Sequence, residues 1–122
     1  MNKLQVKEIL EALPFSQETY HFDEVTTVYK VGGKMFALFS NHDAKGLSIN
    51  LKNTPENNMM LRDMYEEIVE GYHMNKTHWN TVYLDRTLDD SVILKLIEDS
   101  YQIVFKSLTK KIKTALEEGP SL

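Results

Sequence analysis

The stretch GYHMNKTHWNTVYLD, residues 71 to 85, gathers the side chains best suited to chemistry: two histidines, a lysine, a tryptophan and two tyrosines. His73 and His78 stand five positions apart, which is not a helical ligand pair, and no carboxylate joins them before Asp85. They read as imidazoles that hydrogen-bond to backbone or change charge near neutral pH. If Val82 and Leu84 point to a core, alternation sends Trp79, Thr81 and Tyr83 to the opposite face of a sheet. Rings there, beside lysines, form the combination that holds single-stranded nucleic acid, with bases stacked on the rings and cations tracking the phosphates. The competing use is packing, because a large aromatic fills a core more often than it serves as a platform.

Other motifs are weaker. KVGGK at 30–34 lacks the G-x-x-x-x-G-K-[ST] spacing and precedes a strand, where a phosphate loop needs a helix. The tail KSLTKKIK places Lys106, Lys110, Lys111 and Lys113 together, which suits either a nucleic-acid contact or the last turns of a helix, whose negative end favours cations. The second reading is preferred. No cysteine, G-x-S-x-G elbow, H-E-x-x-H pair or dinucleotide fingerprint is present, so the sequence gives catalysis no footing and implies no cofactor or metal. Ser100, inside a helical stretch, is expected to bond a carbonyl one turn back.

The elements that position these residues follow from periodicity. Val6, Ile9, Leu10 and Leu13 share a helical face, and Pro14 ends that helix. VTTVYKV and KMFALFS flank Gly32-Gly33 as a hairpin, in which Val31 faces Lys34 and Lys30 faces Met35. The two lysines therefore emerge on opposite faces. LSINLK alternates as a third strand, burying Leu47, Ile49 and Leu51 and exposing Ser48, Asn50 and Lys52. Thr54-Pro55 opens a second helix with a buried stripe through Leu61, Met64, Tyr65 and Ile68, stopped by Gly71. HWNTVYLD is a strand, with a short one expected before it at 72–74. Thr87 and Asp90 open a last helix, whose buried stripe runs from Ile93 to Leu108 and which continues towards Leu116, with a kink or a frayed end expected from the serine and threonines at 107, 109 and 114. The order α-β-β-β-α-β(β)-α predicts an α+β two-layer sandwich, an antiparallel sheet covered on one face by helices.

At 122 residues the chain fits a single domain, 1–122, and its 42% hydrophobic and 26% charged content is ordinary for a globular protein. Nothing demands an oxidising compartment or approaches the about 20 apolar residues that span a bilayer, so a soluble, cytoplasmic protein without a membrane partner is expected. A net charge of −4 counts against broad attraction to nucleic acid, yet charge is uneven. Between 26 and 52, Lys30, Lys34, Lys45 and Lys52 face Asp43 alone; between 56 and 70, five acids face Arg62.

The blocks KVGGKMFAL (30–38), LKNTPENNMMLRD (51–63), GYHMNKTHWNTVYLD (71–85) and LIEDSYQIVFKSL (96–108) resemble those of the MmcQ/YjbR family of small bacterial proteins, in the same order. Where such proteins usually carry proline before the glycine of the third block, this chain has Glu70. The resemblance implies a sandwich similar to secretion-chaperone-like and frataxin-like folds, and a DNA-binding role with a "double wing". On that basis the chain is expected to be a non-catalytic, monomeric DNA-binding module using the open sheet face and the 72–79 turn. Its contacts would be Lys30, Lys34, Lys52, Arg62, Tyr72, Lys76, His78 and Trp79. The alternative is a protein or peptide interaction module, with Met59, Met60 and Met74 adapting to partners.

Overall fold

Alternation and turn chemistry build a six-stranded antiparallel sheet from β1 (Gln17–Asp23), β2 (Thr26–Val31), β3 (Lys34–His42), β4 (Gly46–Lys52), β5 (Ile68–Glu70) and β6 (Trp79–Tyr83), in the order β1-β2-β3-β4-β6-β5. The computed structural model describes residues 1–23, 25–42, 46–71 and 74–119, with 20–23 and 42 by backbone alone. Among the described residues, four helices, α1 (Lys3–Ala12), α2 (Pro55–Met64), α3 (Asp90–Ser107) and α4 (Lys110–Glu118), join the sheet. Val6 and Leu10 of α1 and Ile93, Ile97, Tyr101 and Val104 of α3 close over Tyr29, Val31, Phe39, Ile49, Leu51 and Val82 of the sheet. Leu61 of α2 and Ile112 and Leu116 of α4 pack against the same core. This is the α+β arrangement that the order of elements predicts.

Gly32 (φ 56°) and Gly33 (φ 84°) make the hairpin turn, and the register sets Val31 opposite Lys34 and Lys30 opposite Met35, as expected. One residue further on, β3 bulges: Tyr29 pairs with Ala37 and Lys30 with Met35, so Phe36 is the extra residue and both Phe36 and Ala37 enter the core. The hydroxyl of Ser100 donates to the Phe36 carbonyl at 2.6 Å and accepts the Lys52 N–H at 2.8 Å. Ser100 thus braces the sheet rather than its own helix, because the bulge and the end of β4 offer it two backbone groups to satisfy.

Several boundaries depart from the periodic reading. QETYHFD carries no apolar alternation, yet it pairs along β2 as the edge strand β1, where a polar composition suits an exposed edge. α2 ends at Met64, and Ile68 belongs to β5, which lies earlier than the strand expected at 72–74. Gly71 is not a helix stop. It lies against β6, its N–H donating to the Trp79 carbonyl at 3.0 Å, where a Cβ would stand 2.7 Å from that oxygen. The last helix opens on Asp89, whose side chain accepts the Ser91 N–H, not on Thr87. It breaks at Leu108 and Thr109 caps α4, so in place of the kink or frayed end expected over 107–114 there is a junction between two helices, with Thr114 inside the second.

Candidate functional site

β6 places Trp79 on the helix-free face, as alternation requires, but its side chain is only 8% exposed. There it forms a small second core with buried Val28 and Leu38, and Met35 and Met74 pack against it. The expectation of a stacking platform at Trp79 is therefore corrected. Val28 and Leu38 sit mid-sheet on a face without helices and must be covered by something large and apolar. Among the described residues around this patch, the Thr26 and Ser40 hydroxyls meet at 3.0 Å, and Thr81 donates to Asn50 Oδ1 at 2.5 Å.

Lys76 is exposed and pairs with Glu70 at 3.6 Å. An exposed pair of this kind contributes under about 1 kcal/mol, but it neutralises the lysine locally. His78 is exposed at the end of the turn, its N–H donating to Asn75 Oδ1 at 3.2 Å and its carbonyl accepting from Asn53 at 3.0 Å. Tyr72 and His73 lie outside the described residues. Arg62 does not reach the open face: one terminal nitrogen, Nη1, donates to Asn80 Oδ1 at 2.8 Å and to the Lys76 carbonyl at 3.4 Å.

Arg62 belongs instead to a polar network that periodicity does not reveal. Asn80 Nδ2 donates to the Asn58 carbonyl at 3.2 Å, and Asn58 Nδ2 donates to the carbonyls of Asn53 and Thr77 at 3.3 and 3.1 Å. Asn57 reaches Asn53 Oδ1 at 3.0 Å. These amides tie α2 to the 75–80 turn through backbone groups that would otherwise be orphaned on burial. The signal in the sequence is the run of asparagines at 53, 57, 58, 75 and 80, with Arg62 one helical turn after Asn58. In consequence α2 turns a mixed face inward. Asn58 is its one fully buried residue, and Leu61 and Tyr65 of the predicted stripe pack against the core, but Met64 of that stripe is 60% exposed, beside Met59 and Met60 at 62% and 51%.

The lysines of the β2–β3 hairpin, of the end of β4 and of the tail lie towards one end of the molecule. Gly32 at the hairpin tip packs against Leu108 and Ile112, so the β2–β3 tip touches the α3–α4 junction. Lys34 donates to Ser107 Oγ at 3.4 Å, and Lys113 donates to the Lys106 carbonyl at 3.3 Å. Lys106, Lys110 and Lys111 are exposed beside them. Half-buried Lys30 and Lys52 lie on the open face near the same end, Lys52 opposite Trp79 in register. Among the described residues, no carboxylate forms an ion pair with any of these seven lysines.

The family model YjbR matches residues 11–103. The chain is 34% identical over 114 residues to the uncharacterized protein YbdF of Escherichia coli O157:H7, covering 93% of this chain and 92% of that one. It is also 34% identical over 102 residues to the uncharacterized protein YjbR of Escherichia coli K12, covering 81% and 86%. A crystal structure of a Deinococcus radiodurans protein of domain DUF419 superposes with a TM-score of 0.84 at 36% identity, covering 96% of this chain and 88% of that one. A Pseudomonas syringae protein does so with a TM-score of 0.75 at 30% identity, covering 85% and 99%.

Proposed function

The chain belongs to the YjbR family, and from its fold and charge distribution we propose that it is a non-catalytic binding protein for a polyanion, most simply duplex DNA, gripped by phosphate contacts at the lysine-rich end. One observation carries this reading: Lys34, Lys106, Lys110, Lys111 and Lys113 converge where the hairpin tip meets the α3–α4 junction, without an ion-paired acid among the described residues. The net charge of −4 does not oppose it, because charges more than about 8–10 Å away are screened at physiological salt and a polyanion meets the local field. The α4 N-terminus adds its dipole to the same side. Lys30 and Lys52 extend the track onto the open face. This reading rests on other residues than Trp79, Lys76 and Arg62, of which the first is buried, the second pairs with Glu70 and the third bonds to Asn80.

Such binding would carry no base-stacking term, so it would be indifferent to sequence and strongly salt-dependent. With about five phosphates neutralised, the slope of log K against log salt is about −4.5, and a fourfold rise in salt weakens binding about 500-fold. Fluorescence anisotropy with a labelled duplex tests this. Replacing Lys110 and Lys111 by Gln should flatten the slope by about 2. A slope near zero, or no change in that variant, would remove the proposal.

A further inference from the structure

α2 and α3 leave between them an open groove of about 490 Å³, walled by Met60, Leu61, Met64 and Tyr65 on one side and Val92 and Leu96 on the other. Met60 and Met64 are in this groove because Asn58 and Arg62 occupy the inward face of α2. A helix normally hides its apolar face and shows its polar one, so two half-exposed methionines along a groove present apolar surface that binding can cover. Methionine is unbranched and polarisable, which suits a surface that must adapt to a ligand's side chains.

Charge says what kind of ligand. On the outer side of α2, Glu56 and Asp63 flank Met60 by helical spacing, and on α3 Glu98 flanks Lys95 while Asp99 forms part of the wall. Lys95 is the cation of the wall, and its ammonium is already bonded to Asp99 at 2.9 Å; that hydrogen bond and the Asp99 charge raise its pKa above the ordinary lysine value. Arg62 is engaged by Asn80 and the Lys76 carbonyl. We infer that this groove docks a cationic amphipathic helix of a protein partner, with leucine-like side chains entering between the methionines and lysine or arginine meeting the acidic rim. The ten residues of α2 give a seat of about 15 Å, some three turns of a bound helix. This surface is separate from the lysine-rich end, so each can fail alone.

The test uses the full chain and a fluorescein-labelled synthetic amphipathic helix of leucine and lysine, with a leucine–glutamate version as control. The Met60→Ser, Met64→Ser double variant keeps every charge and alters only exposed side chains; its fold is checked by circular dichroism. It should bind the lysine peptide at least about tenfold more weakly, as expected for losing apolar contact, while its affinity for a DNA duplex stays unchanged. Glu56→Gln with Glu98→Gln should weaken the peptide several-fold and blunt its salt dependence. Equal binding of the glutamate peptide, unchanged binding by the methionine variant, or a wild-type dimer that this variant dissociates would overturn the inference, the last by assigning the groove to a second copy of the chain.

Discussion

Replacing Trp79 separates a core tryptophan from a base-stacking one. At 8% exposure, its indole keeps nearly all of its roughly 200 Å² away from water against Val28, Leu38, Met35 and Met74. At about 25 cal/mol per Å² that burial is worth up to about 5 kcal/mol, an upper figure because the unfolded chain is partly collapsed. Trp79→Ala should therefore destabilise by about 3–5 kcal/mol. For a chain of 122 residues, each kcal/mol lowers Tm by roughly 4 °C, giving a drop of about 12–20 °C. Trp79→Phe, which keeps most of the apolar surface, should cost about 1–2 kcal/mol and leave the protein folded at 25 °C. Urea unfolding followed by circular dichroism measures both. Binding of the folded Phe variant to single- and double-stranded oligonucleotides should match wild type within a factor of two. Full stability in Trp79→Ala together with lost affinity for single strands would refute the placement of this residue and restore the stacking platform.

Three further outcomes follow from the packing. Ser100→Ala leaves the Lys52 N–H and the bulged Phe36 carbonyl unpaired at a buried site, and even after the better helix propensity of alanine it should cost about 2–4 kcal/mol in urea unfolding; a loss under about 0.5 kcal/mol would show that water replaces the hydroxyl. Gly71→Ala forces a Cβ to 2.7 Å from the Trp79 backbone oxygen and should lower stability by about 1–3 kcal/mol, most visibly as faster amide exchange at β5. Burial pushes the Tyr101 phenol above its ordinary pKa of 10.0, and its hydroxyl donates to the Pro14 carbonyl at 2.6 Å. The folded protein then holds this proton more tightly than the unfolded chain, so the contribution is intact below about pH 10 and is lost as pH rises beyond it. Tyr101→Phe should lack that part of the alkaline loss, read as the difference between the two stability–pH curves.

The elements legible in the sequence are those whose own residues carry the signal. Gly32-Gly33 dictates its turn, LSINLK alternates, and α3 repeats its apolar face over several turns. The strands that escaped, β1 and β5, are held by partners: QETYHFD forms a strand because β2 offers it a ladder, and Ile68–Glu70 because β6 does. Ile68 falls seven residues after Leu61, so helical spacing claims it, and nothing local contradicts the claim until β6 is in place. The site misled for a related reason. Alternation correctly assigns Trp79 to the face away from the helices, but it cannot say that Val28 and Leu38, far earlier in the chain, need that ring as a lid. The asparagine network is equally non-local, since Asn58 and Asn80 meet only when α2 lies across β6.

Membership in a family speaks here about architecture more than about ligand. The blocks carrying the resemblance hold Asn53, Asn58, Arg62, Asn75 and Asn80, which bond to each other and to backbone, together with Trp79, which fills a core. The family match ends at residue 103, before Lys106, Lys110, Lys111 and Lys113. Four of the five lysines proposed to grip phosphate thus stand beyond the region that the family model matches, Lys106 near the close of the fourth resembling block and the other three after it, on a junction and helix that the Gly32 hairpin supports. If the lysine-rich end binds a polyanion, the property rests on side chains that a relative can lack while keeping the whole fold. A family member with the same sheet but few lysines after its third helix should then fail to shift a duplex at low salt, and grafting KSLTKKIK onto it should confer binding with the steep salt slope. Strong, salt-dependent binding by such a lysine-poor relative would instead move the contact back to the sheet and its 74–79 turn.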